Sequence, residues 1–77
     1  MDTWSLIAER WPEHLLKVRR RCAIDPGFRE VVADYHEARC ALTRWRGIDL
    51  TMSERVADYE RLVRELESEI EAGVTPR

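Results

Sequence analysis

The side chains best equipped for chemistry in this chain are His36 and Cys40, and they stand four residues apart. On a helix that spacing puts an imidazole and a thiol one turn from each other, where they can share a metal ion. Two ligands do not complete a centre. His14 belongs to a different predicted helix, and a carboxylate such as Asp34 or Asp58 would have to be recruited. The pair therefore reads as a flank histidine beside a packed thiol, and neither a metal nor a cofactor is expected. Glu65, Glu67, Glu69 and Glu71 offer acid-base groups, but alternate spacing distributes them around a helix surface instead of pairing them. There is no glycine-rich phosphate loop and no nucleophile motif. No catalytic residue is expected, and the chain does not read as an enzyme.

Two basic runs carry different chemistry. Lys17, Arg19, Arg20 and Arg21 cluster in the N-terminal third, and Arg44-Trp45-Arg46 sets an aromatic ring between two guanidinium groups. Such groups can grip phosphate and stack on bases. The formal net charge is −2, however, and the cations of the later segments alternate with acids. A weakly nucleic-acid-associated protein is thus the alternative class.

The elements that would carry these residues follow from the apolar spacing. Phe28, Val31, Tyr35, Ala38, Leu42 and Trp45 step by three and four, as do Met52, Val56, Tyr59, Val63, Leu66 and Ile70. Each set forms one helical stripe. The intervening Gly47-Ile-Asp-Leu-Thr51 is so short that the second helix must turn back, predicting an antiparallel hairpin over about 26–46 and 52–72. Asp25-Pro26 reads as an N-cap followed by proline at the first helical position. Thr51 to Glu54 has the capping-box pattern. Gly47 and Gly73 read as C-terminal caps.

Trp4, Ala8, Trp11, Leu15, Val18 and Cys22 keep the same spacing across Pro12. An interior proline costs about 3 kcal/mol in a helix. The prediction is an N-terminal helix over about 4–23, kinked or broken: a short piece before Arg10, then a helix from Pro12 to about Ala23. The fold class is all-α, a three-helix up-down-up arrangement. The helix starting at Pro26 is central, because Val32, Ala33, Cys40 and Ala41 widen its apolar arc.

With 77 residues, 44% hydrophobic and 36% charged, the chain reads as one small helical domain over 1–77. A domain of this size buries only about 60% of its unfolded surface, so help from a partner chain is expected. No apolar run approaches the roughly 20 residues of a membrane span. Met1-Asp-Thr-Trp-Ser-Leu lacks the features of a secretory signal, and the expected location is cytoplasmic. Both cysteines are expected as small, partly buried thiols. Along the helices they lie roughly 20 Å apart, whereas a disulfide needs Cα atoms within about 7 Å.

Interaction is the function class left. In an up-down-up bundle the basic end of the first helix meets the acidic end of the last, so Arg19, Arg20 and Arg21 are expected to neutralise Glu65, Glu67, Glu69 and Glu71. Three tryptophans in so short a chain either cap its core or mark an apolar surface for another chain. Trp4, Trp11, Leu15 and Leu62 are the candidate interface residues. The expected partner is a protein, in the first instance a second copy, with no membrane contact.

Asp25-Pro-Gly-Phe-Arg29, Asp34-Tyr35, Ala38, Ala41-Leu42, Tyr59-Glu-Arg-Leu62 and Glu65-Leu-Glu67 resemble short bacterial helical-hairpin proteins of unknown function. Those proteins share a DP-x-F-R start and a Y-x-x-L-x-x-E-L-E finish. The resemblance covers roughly residues 25–71 and implies a bacterial helical hairpin, but no activity and no functional residue.

Overall fold

Every regular element in the computed structural model, which describes residues 2–48 and 53–75, is helical. The order is α1 (Thr3–Arg10), α2 (Leu15–Ile24), α3 (Pro26–Ile48) and α4 (Ser53–Val74). None of these helices is long and apolar enough to cross a membrane. Met52 and the Thr51 end of the capping box lie outside the described residues.

The N-terminal segment is two helices, and the second begins at Leu15 rather than Pro12. Trp11 leaves the helical region (φ −133°, ψ 68°) while its N–H still donates to Ile7 O at 2.7 Å. The residue before a proline is sterically pushed out of the α region, so the break falls at that position. His14 N–H then closes a turn on Trp11 O at 3.0 Å before α2 starts. At the other end, Asp2 accepts from Ser5 N–H at 2.7 Å and caps α1.

Asp25 alone separates α2 from α3 and serves both. Its N–H donates to Arg21 O at 2.9 Å, closing α2, and its Oδ1 accepts from Phe28 N–H at 3.1 Å, opening α3 as the Asp-Pro pair predicts. The Phe28 amide bond, with Arg21 as a further partner, holds the Asp25 carboxyl below its ordinary pKa.

The α3–α4 pair is antiparallel. Arg46 bonds Glu60, Tyr35 bonds Glu67, and Phe28 lies against Gly73, so partners rise along α4 as they fall along α3. The apolar stripes meet in one core that includes Val32, Tyr35, Leu42, Val63, Leu66 and Ile70, with Ile7, Trp11, Val18 and Cys22 contributed from the N-terminal segment. Leu6, Ile7 and Val74 are buried although the three-four stripes omit them.

The two C-terminal glycines are not caps. Both lie inside helices, and no glycine among the described residues has a positive φ. A β-carbon placed on Gly73 would stand 2.5 Å from Cε2 of Phe28, so this glycine makes room for a buried ring. A β-carbon placed on Gly47 would meet no atom of the described residues within 4 Å beyond its own stretch of helix.

Candidate interaction surfaces

Stepping every second residue along a helix turns about 200°, so the glutamate series of α4 is dealt alternately to opposite sides. Glu67 and Glu71 fall on the side facing the N-terminal segment. Tyr35 Oη donates to Glu67 Oε2 at 3.1 Å and accepts from Arg39 Nη1 at 2.7 Å. Arg10 reaches Glu67 at 3.4 Å and Glu71 at 3.3 Å, and Trp11 Nε1 donates to Glu71 at 2.9 Å. Arg39 also pairs with Glu9 at 3.4 Å. Seven side chains of α1, α3, α4 and the α1–α2 turn thereby tie the N-terminal segment to the hairpin, with Trp11 tilted against the Tyr35 ring at 5.4 Å.

Arg19, Arg20 and Arg21 do not neutralise the acidic end of α4 as their position in the sequence predicts. The cation serving Glu67 and Glu71 is Arg10, and among the described residues no ion pair joins Arg19, Arg20 or Arg21 to Glu65, Glu67, Glu69 or Glu71. The stripe Leu15, Val18, Cys22 turns α2 toward the hairpin, which swings the three arginines away from α4. Arg21 instead bonds Asp25 at 3.0 Å, and Arg19 stands 5.2 Å over the Trp4 ring.

Burial lifts the Tyr35 phenol above its ordinary pKa. Arg39 opposes that shift, and Glu67 adds to it. The folded state therefore holds this proton more tightly than the unfolded chain, so the contribution is complete below about pH 10 and is lost as pH rises through the folded value. A Tyr35→Phe variant is expected to lose about 1 to 2 kcal/mol at neutral pH, the worth of a phenol bonded to charged groups. It should also show a flatter alkaline limb than wild type in urea unfolding between pH 8 and 11.

The four candidate interface residues separate. Trp11 is buried in the chain's own core, which removes it from any surface role. Trp4 and Leu15 are half-buried and pack against that core. Leu62 is 41% exposed. Leu16 and Ile24, absent from the sequence-based set, are 59% and 81% exposed. Their signal is visible in the spacing: with Leu15, Val18 and Cys22 turned inward, positions 16, 20 and 24 line up on the outward side of α2.

Two grooves flank these residues. One of about 450 Å³ runs beside Trp4, Arg19, Cys22, Ala23, Arg29 and Val32. The Cys22 thiol there is free, and burial raises its pKa against the opposing charge of Arg29. The other, about 320 Å³, is lined by α3 and α4 alone, including Asp34, Glu37, Ala41, Tyr59 and Leu62.

Cys40 is exposed rather than partly buried, because its position lies about 140° around α3 from Tyr35. No group of three or more His, Cys, Asp or Glu residues among the described residues is placed to hold a metal ion. No family model matches the chain, and no curated protein or solved structure matches it either.

Proposed function

We propose that this chain is a non-enzymatic helical interaction module that associates with further copies of itself. The observation that carries the reading is a pair of exposed apolar surfaces of opposite charge. Leu16 and Ile24 stand on α2 among Lys17, Arg19 and Arg20, and α2 contains no acidic residue. Leu62 stands on α4 near Asp58, Glu65 and Glu69. Large apolar side chains left outside a small core, beside charges without ion partners among the described residues, are the composition of an interface.

We read the broken α1–α2 segment as the first arm of an up-down-up bundle whose other arms are α3 and α4. The bacterial hairpin resemblance and a cytoplasmic location fit that reading. Nucleic-acid binding is less well served. Arg46 is engaged by Glu60 at 3.0 Å, and Arg55 stands 4.6 Å over the Trp45 ring, so two of the three residues of the Arg44-Trp45-Arg46 triplet are engaged by their own chain.

Sedimentation equilibrium of the wild type over a concentration series tests the reading. Mass above the monomer that grows with concentration and shrinks as salt is raised is the expected result, because complementary exposed charge is screened within a Debye length of about 10 Å at 0.1 M salt. A monomer throughout, with salt-sensitive binding to DNA or RNA in a gel shift, would replace it with the nucleic-acid alternative.

A further inference from the structure

We propose that copies of this chain join head to tail, the outward ridge of α2 on one copy seating in the α3–α4 groove of the next. This rests on the self-association reading and specifies its geometry. The ridge is Leu16, Arg20 and Ile24, four apart and therefore stacked along one line of the helix, with Lys17 beside them. Ile24 at 81% exposure is its most prominent apolar point.

The groove has the complementary shape and sign. Ala38 and Ala41 are short enough to leave a depression beside Tyr59 and Leu62, and Asp34 and Glu37 stand at its edge. Asp58, Glu65 and Glu69 are exposed along the same side of α4. None of these five carboxylates has an ion partner among the described residues. Of the cations near it, Arg55 lies over the Trp45 ring, and Arg44 and Arg61 stand exposed at its margins, so the carboxylates outnumber the cations there. A basic apolar ridge and a predominantly acidic apolar groove on one chain thus each carry charges that form no ion pair among the described residues.

The ridge cannot fill its own chain's groove. It points away from the hairpin, and no residue of α1 or α2 lines the groove. Because the two surfaces differ, each contact leaves a free ridge at one end and a free groove at the other. Such a heterologous interface builds rings or open chains instead of stopping at a two-fold dimer.

Two variants test the geometry. Arg20→Glu/Ile24→Glu spoils the ridge and keeps the groove, whereas Leu62→Lys/Glu65→Lys spoils the groove and keeps the ridge. Circular dichroism checks that both fold; should the Leu62 variant fail, Glu65→Lys/Glu69→Lys replaces it, since both positions are exposed. By light scattering, each variant alone is expected to be a monomer and the wild type larger than a dimer at high concentration. An equimolar mixture should give a one-to-one heterodimer and nothing larger, because only one ridge and one groove remain competent. Wild-type association with no recovery in the mixture would overturn the pairing of these surfaces while leaving self-association standing. Variants that associate as the wild type does would place the contact elsewhere. A monomeric wild type whose ridge instead takes up anionic vesicles or nucleic acid would overturn both readings.

Discussion

A Trp11→Ala variant is expected to lose about 3–5 kcal/mol of stability, the range for removing a large aromatic from a core. Trp11 is only 5% exposed, stacks obliquely on Tyr35, and anchors its indole N–H on Glu71. Truncation leaves a cavity between the N-terminal segment and the hairpin that neighbouring side chains cannot refill without moving α1. A chain of this size has a total stability of roughly 4–12 kcal/mol, so the variant should unfold at much lower urea than wild type, or be partly unfolded in water. Trp4→Ala is the control. Its ring is half-buried under Arg19, and the expected loss is about 1–2 kcal/mol. Equal losses at the two positions, read by tryptophan fluorescence and circular dichroism, would contradict the placement of Trp11.

Alanine at the two helical glycines should act in opposite directions. At Gly73 the added methyl meets the Phe28 ring at 2.5 Å, closer than non-bonded carbons can approach. Phe28 is itself buried against the core and is the third residue of α3, so the ring cannot retreat without disturbing the α2–α3 corner. Gly73→Ala is expected to destabilise by about 1–3 kcal/mol, the cost of overpacking. At Gly47 the methyl meets no other described residue and the backbone is already helical, so Gly47→Ala should stabilise by about 0.5–1 kcal/mol through the lower entropy of the unfolded chain. Thermal melts of both variants read the difference in sign directly. Stabilisation at Gly73 would mean that α4 and the start of α3 are not in contact there.

The same glycines show what sequence can and cannot reveal. Helices at Pro26 and in the last third are legible because their apolar side chains repeat at helical spacing, and each needs only its own segment to be recognised. Asp25 is legible as a cap for the same local reason. A glycine near the end of a helix is ambiguous. It serves either to reach a positive φ or to admit a neighbour, and only the opposing residue, Phe28 for Gly73, decides between them. The break at Trp11 was visible in Pro12, but a three-residue turn between it and α2 depends on His14 closing onto Trp11.

Charge pairing is less legible in the sequence than apolar burial. The spacing of Glu65 to Glu71 determines that they alternate sides, but it does not say which cation stands opposite either side. Arg10 reaches Glu67 and Glu71 because the broken N-terminal segment delivers it there. Arg19, Arg20 and Arg21 are closer to the acidic end in a simple bundle drawing, yet they are rotated outward by the Leu15, Val18, Cys22 stripe. That rotation also exposes Leu16 and Ile24, the residues on which the assembly reading now depends. Trp11, an interface candidate by its type, is a core residue, since an aromatic's identity does not distinguish the two uses.

The most direct test of assembly is a dilution series of amide nuclear magnetic resonance spectra recorded on the wild type at low salt. Self-association through the described surfaces predicts concentration-dependent shifts confined to the outward side of α2 near Leu16, Arg20 and Ile24 and to the seam near Ala41, Tyr59 and Leu62, with Trp11 and Ile70 unmoved. Spectra that stay identical over the whole concentration range would contradict self-association outright.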